Sequence, residues 1–369
     1  MTTPTDTKPR RLRFIDMARS VAILLMLEGH FVDDSLVNSA RDPDHPVYAT
    51  WSAIRLYTAP MFLTVTGLIF AYLLMRQDES VDGWYENPRL HKGIGRVAEL
   101  FIWGYVVQSY AFHILECIAC GIAAILLLYA LSKCVKAIPL PVWLVTAALA
   151  LFVFTPNIRE LPLRMSSVEQ FWWWVNVPLY GTPKPVILFP VFPFVGFTLF
   201  GGAIGCIAYR QRHLMHTWWL PCLFALGGAL LYFGAGPFFS LYSQLTDNWN
   251  HLASTASIYR KLGMVSMALS VLMFIDYHSG HRIRQDSLFL KIGQNTLVIY
   301  VLHMFVLYGS ITAIGLNDWF HKSLSPWQAA IGAALFVGFF VVLVHYLERI
   351  QAAGLWGWNR LKGLVAKKA

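Results

Sequence analysis

An arginine and a histidine stand eleven positions apart inside one apolar run of this sequence. The stretch Arg13 to Asp34, RFIDMARSVAILLMLEGHFVDD, carries Asp16 and Arg19 in its first turns and Glu28 and His30 towards its end. Read as a helix rising 1.5 Å per residue, it separates Arg19 from His30 by roughly 16 Å along the axis. Ionisable side chains inside a membrane span are costly and by default face a cavity or a partner, which marks both residues for function. A guanidinium near one membrane face suits an anionic group. An imidazole near the other suits general base work, because its unperturbed pKa lies close to neutral. Each residue alone also has an ordinary reading, Arg19 on inner-leaflet phosphates and His30 snorkelling to the outer interface. Their occurrence together on one helix with Asp16 and Glu28 favours the functional reading.

Other groups could join these two. Asp33, Asp34 and His45 follow in the first outer segment, and a carboxylate near a histidine can fix its tautomer and stabilise its charged form. The ordinary alternative is a solvated polar loop. Gly293-Gln294-Asn295 opens an apolar run that reaches His303, at a depth similar to that of His30. His113 and Glu116 mark an outer turn in the same layer. On the inner face Arg76, Arg89, Lys92 and Arg96 gather, and Arg96 lies closest to the apolar run that follows. Cys117 and Cys120 form a CxxC within an apolar run. They read as small buried side chains, since no second CxxC or histidine pair accompanies them, and no metal site is expected.

The elements that must position these residues are membrane spans. Of the 369 residues, 57% are hydrophobic and 13% charged, against about 25% charged in a soluble domain. Runs of about 20 apolar residues, enough for a roughly 30 Å hydrocarbon core, fall near 14–33, 51–75, 94–113, 115–132, 138–156, 186–208, 217–238, 256–276, 288–310 and 327–347. The expected fold is all-α, a polytopic membrane protein of about ten transmembrane helices. Twenty of the 29 Lys and Arg fall in segments assigned to the inner side and eight to the outer side, which places both termini in the cytoplasm. The first run carries Asp16 and Arg19 and no small-residue cleavage site follows it, so it reads as a retained span. The expected organisation is a tail at 1–12, one membrane domain at 13–348 and a basic tail at 349–369, the last suited to an amphipathic inner-face helix. The net charge of +9 follows from the inner segments and calls for no nucleic acid. The outer segment 157–185 holds Phe171, Trp172, Trp173 and Trp174 in a row, an interfacial anchor or the wall of an acceptor site. Pro60 with Gly67, and Pro190, Pro193, Gly196, Gly201, Gly202 and Gly205, predict kinks and close helix approach. No internal repeat is visible by eye.

RFIDMARSVAILLMLEGH resembles the opening helix of the transmembrane acyltransferase superfamily, in whose acyltransferase-3 branch Arg, ten residues, His is the hallmark. APMFLTVTGLIFAYLL (59–74), FPVFPFVGFTLFGGAIG (189–205) and GQNTLVIYVLHMF (293–305) resemble the heparan-α-glucosaminide N-acetyltransferase branch and its bacterial relatives. The resemblance implies a bacterial inner-membrane enzyme that uses cytoplasmic acetyl-CoA. It would pass the acetyl group to an amine or hydroxyl of a glucosamine-like sugar on the outer side, with the bilayer as its surroundings and a homodimer allowed. Carried over, His30 stands where the acyltransferase-3 histidine stands, and His45 best fits the later loop histidine of the lysosomal enzyme. Asp33 and Asp34 would assist either one. Arg19, Arg96, Arg13 and Asn295 are the expected cofactor-binding residues, with His303 and Asp16 as further candidates. A rival reading from another class is a proton-coupled transporter of a small molecule that relays protons through His30, Asp16 and Glu28.

Overall fold

The structure, a computed structural model, describes residues 12–366 except 82, 108–111, 161–188, 246–248, 281, 285 and 311–313. The expected aromatic run at 171–174 lies outside the described residues, as do the tail residues 1–11. The described residues form helices and no strand: α1 (Arg13–Ser35), α2 (Pro46–Asp78), α3 (Pro88–Val107), α4 (Ile114–Cys134), α5 (Leu140–Glu160), α6 (Val191–Arg210), α7 (Trp219–Leu245), α8 (Trp249–Ser279), α9 (Leu288–Gln294), α10 (Thr296–Tyr308), α11 (Leu316–Phe320) and α12 (Pro326–Ala366). The expected all-α membrane fold is therefore present.

Six of these helices carry stretches long and apolar enough to cross a membrane: Pro46–Asp78, Ile114–Cys134, Val191–Arg210, Trp219–Tyr242, Thr255–Ser279 and Pro326–Leu347. The pair α9 and α10 makes a seventh if counted as one span, bent by 80°. Three of the ten expected runs, those in α1, α3 and α5, fall outside this set. Helix α1 carries Asp16, Arg19 and Glu28, and α3 carries Arg89, Lys92, Arg96 and Glu99, which lower their mean hydropathy. Helix α5 is apolar over Leu140–Thr155 and runs on to Glu160. The run 288–310 is also not one straight helix. Asn295 leaves the helical path (φ −106, ψ 26), and its side-chain amide donates to the Lys291 carbonyl at 2.8 Å, closing α9. Thr296 then starts α10. At the other end of α10, Gly309 takes φ 62, a left-handed cap suited to glycine. The basic tail is not a separate helix, because α12 continues through it to Ala366.

Helix α1 sits in the middle of the assembly and packs on α2, α8, α9, α10 and α12. Ala18, Ala22, Ile23 and Leu27 on it are wholly buried. A helix so enclosed can carry polar side chains without presenting them to lipid. By contrast α7 turns Leu226, Leu230, Phe233 and Phe238 outward, the apolar face expected of a helix against hydrocarbon.

Close backbone approach holds the bundle, as the glycine pattern predicts. A Cβ on Gly67 of α2 would strike the Thr198 carbonyl of α6, and one on Gly201 of α6 would strike the Thr64 carbonyl of α2. In a membrane such contacts matter because lipid tails are as apolar as leucine, so helix association rests on packing. Gly293 of α9 likewise abuts the Asp16 carbonyl and Ser20 of α1.

Gly201→Ala should therefore push α2 and α6 apart and lower stability by about 1–3 kcal/mol, the usual cost of overpacking. Gly338→Ala is the control, because its added Cβ meets nothing within 4 Å; it should leave stability unchanged or raise it by up to about 1 kcal/mol. Thermal unfolding of the purified protein in detergent reads both.

Candidate functional site

The last turns of α1 and the end of α10 bring a set of polar side chains together. His30 Nδ1 lies 3.0 Å from the Tyr308 hydroxyl, and that hydroxyl donates to Asp34 Oδ2 at 2.5 Å. His303, one turn and more back on α10, is fully buried, with its ring 5.3 Å from His30 and 4.9 Å from Tyr300. The Tyr300 hydroxyl reaches His113 Nδ1 at 2.7 Å. His113 in turn donates its backbone N–H to Glu116 Oε2 at 3.0 Å, within the first turn of α4. Two tyrosines and three histidines thus form a continuous layer between α1, α4 and α10.

Asp33 points away from this layer. It binds Arg55 of α2 at 2.6 Å and Arg41 at 3.0 Å. Lys322, in the turn between α11 and α12, donates its ammonium to the Asp33 carbonyl and its backbone N–H to the Asp34 carbonyl at 2.8 Å. Leu324 N–H bonds the Ser35 carbonyl at 2.9 Å, which fastens the same turn to the end of α1. Burial pulls the Lys322 ammonium below the ordinary lysine pKa, Arg41 and Arg55 add to the fall, and Asp33 and Asp34 oppose it. Gly29 leaves room for Arg55 against α1, since a Cβ there would come 2.9 Å from its Nε.

His30 opens onto a cavity of about 490 Å³. Asp33, Arg55 and Trp51 line it at the end near His30, and apolar side chains including Met26, Phe189 and Phe194 line much of the rest. The Trp51 indole N–H donates to Glu28 Oε1 at 2.7 Å, and the Arg55 guanidinium sits 5.4 Å over its ring. The indole is therefore held in one orientation on the cavity wall.

A second cavity, of about 310 Å³, lies around Arg19. Arg19, Arg89, Lys92 and Arg96 all line it, with no carboxylate among its lining residues. Arg19 also donates to Thr296 Oγ1 at 3.0 Å, at the first residue of α10. Arg96 pairs with Glu99 at 2.8 Å, a partly exposed pair that leaves the guanidinium available. Phe62 and Tyr300 line both cavities. One chamber can thus receive a polyanion and the other a neutral or amphiphilic molecule beside an imidazole, with two aromatic residues shared between them.

Of the residues singled out in the sequence, His30, Asp34 and His303 come together, Asp33 lines the same cavity as His30 but pairs with Arg41 and Arg55, and Arg19 and Arg96 share the basic cavity. Asn295, Arg13, Asp16 and His45 line neither cavity. Asn295 caps α9. Arg13 donates to the Gly280 carbonyl at the end of α8. Asp16 is buried within α1, where its carbonyl accepts from Ser20. His45 is exposed just before α2, its N–H on the Asp42 carbonyl at 3.1 Å. Tyr308, Tyr300, Trp51, Arg55, Phe62 and Lys322 escaped sequence reasoning. Tyr300 and His303 are three apart on one helix face, a spacing that could have linked them.

Residues 11–234 match the family model described as heparan-alpha-glucosaminide N-acetyltransferase, catalytic. The match covers more than half of the chain and runs from α1 into α7. No curated protein and no solved structure matches the chain.

The Asp33 cluster makes a measurable unit. Asp33 is 41% exposed at its side chain, so Asp33→Ala and Arg41→Ala should each lower stability by no more than about 1 kcal/mol. Because they remove the same pair, the double variant should lose less than the sum of the two. Thermal unfolding in detergent, repeated at high salt to weaken the pair, measures the coupling.

Proposed function

The chain belongs to the heparan-α-glucosaminide N-acetyltransferase catalytic family, and from that premise we propose that it moves an acetyl group from acetyl-CoA to an amine or hydroxyl of a glucosamine-like sugar on the opposite side of the membrane. The observation that carries this reading is the pair of cavities that meet at Phe62 and Tyr300. Arg19, Arg89, Lys92 and Arg96 would neutralise the phosphates of CoA in one chamber. The pantetheine arm would bring the thioester towards Phe62 and Tyr300. The acceptor would wait in the other chamber beside His30.

A thioester is already activated, so the protein needs mainly to hold the two partners together and remove one proton. The acceptor nitrogen or oxygen attacks the thioester carbon while His30 takes its proton. The carbon–sulfur bond breaks, and CoA leaves as a thiolate that is protonated on release. The half-buried place of His30 on the cavity wall, and the exposed place of His45, favour His30 over His45 as the base. No residue set is assigned to a metal in this scheme. In the same reading α1, α3 and α5 complete ten spans with both termini cytoplasmic, the Arg-x10-His spacing is functional, and the membrane is a bacterial inner membrane.

The test is acetyl-CoA binding and turnover by the purified protein in detergent, with glucosamine as acceptor. Wild type should bind acetyl-CoA and release free CoA. His30→Ala should still bind but turn over about 10²–10⁴-fold more slowly, the range for loss of a general base. Arg96→Ala should weaken acetyl-CoA binding by about tenfold, as expected for one charge-assisted hydrogen bond. If His45→Ala instead stops turnover, the base is His45. If wild type binds no acetyl-CoA, the acetyltransfer reading fails and proton-coupled transport takes its place.

A further inference from the structure

We propose that Asp34 and Tyr308 are positioning residues that hold His30 in the tautomer with hydrogen on Nδ1, leaving Nε2 as the proton acceptor at the cavity. The catalytic consequence rests on the acetyltransfer reading above; the tautomer itself does not.

The argument is one of hydrogen counting. A phenol has one hydrogen and can donate once. The Tyr308 hydroxyl donates to Asp34 Oδ2 at 2.5 Å. The same oxygen lies 3.0 Å from His30 Nδ1, so towards His30 it accepts. Nδ1 must then be the donor. In a neutral imidazole the other nitrogen is bare, and the hydrogen bond made by one ring nitrogen decides the state of the other. The ring lines the cavity, and Nδ1 is already engaged, so Nε2 is the nitrogen left to meet an acceptor proton.

The surroundings fix this arrangement. His30 and Asp34 are four apart on α1 and share a face, and Tyr308 of α10 bridges them. The Tyr308 ring meets the His30 ring edge-on, at 6.1 Å and 88°. Gly309 ends α10 immediately after Tyr308 through its left-handed cap. The Asp34 backbone is tied to Lys322 at 2.8 Å. The neighbouring carboxylate does not compete, because Asp33 is engaged by Arg41 and Arg55. The two adjacent aspartates therefore have different tasks: Asp33 anchors α1 to α2, and Asp34 acts on His30 through Tyr308. When His30 takes a proton, the cation forms beside a hydrogen-bonded chain that ends in a carboxylate, which stabilises it.

The decisive experiment is nitrogen NMR of the protein labelled with ¹⁵N-histidine in detergent, with the His30 signals identified by their loss in His30→Gln. Wild type should show the Nδ1–H tautomer. Tyr308→Phe, which removes one hydroxyl, and Asp34→Asn, which keeps the shape but not the charge, should each shift that tautomer population. Both should lower kcat by about 10–100-fold, the order found when an orienting outer partner is lost, with KM for acetyl-CoA unchanged. Thermal unfolding checks that both variants remain folded. An Nε2–H tautomer in wild type, or Tyr308→Phe with wild-type tautomer and kcat, overturns the proposal. If wild type transfers no acetyl group, the acetyltransfer reading falls, and the NMR spectrum still decides the tautomer.

Discussion

Charge inside a membrane must be enclosed, and the centre of this bundle is arranged around one helix that needs enclosing. Helix α1 carries a guanidinium, carboxylates and an imidazole along its length, and none of these could face hydrocarbon without large cost. Neighbouring helices on several sides satisfy that need. Where they stop short of filling the space, cavities remain, one beside Arg19 and one beside His30. The polar residues and the cavities are thus two results of the same enclosure.

The enclosure depends on a second feature, the contact of α2 with α6. Gly67 and Gly201 let the two backbones touch, so α2 is a fixed wall. That wall carries Trp51, Arg55 and Phe62 to the cavities. The opposite wall comes from α10, whose position follows from the break at Asn295. A straight helix through 288–308 would carry Thr296, Tyr300 and Tyr308 along a different line. The bend lets one segment pack α9 on α1 near Asp16 while the next runs beside Arg19 and His30.

Much of this was legible in the sequence, in proportion to how local the signal is. Arg19 and His30 stand out because ionisable residues are rare in apolar runs. The glycines predicted close approach because the absence of a side chain has few other uses inside a span. The count of spans was less legible, since hydropathy does not distinguish a polar helix enclosed by others from a marginal span, as α1 and α3 show. The least legible parts are pairings across the chain. Tyr308 is 274 residues from Asp34 and 278 from His30, and nothing local to Tyr308 marks it apart from an interfacial tyrosine. Arg55 and Trp51 carry no local mark either, because only the fold brings them to Asp33 and Glu28. Asn295 and Arg13 were read as cofactor-binding residues, and each donates to a backbone carbonyl at a helix end.

Phe62 and Tyr300 have a further consequence for the cell. A protein loaded from both faces of a membrane, as proposed above, would risk becoming a leak. One elementary charge falling through 100 mV of membrane potential releases about 2.3 kcal/mol, so any continuous wet path between the Arg19 and His30 chambers would drain the ion gradient at every opening. In that reading the two aromatic rings shared by both chambers would act as electrical insulation. In the acetyltransfer reading they would let a slender neutral chain slide between the compartments while denying passage to hydrated ions.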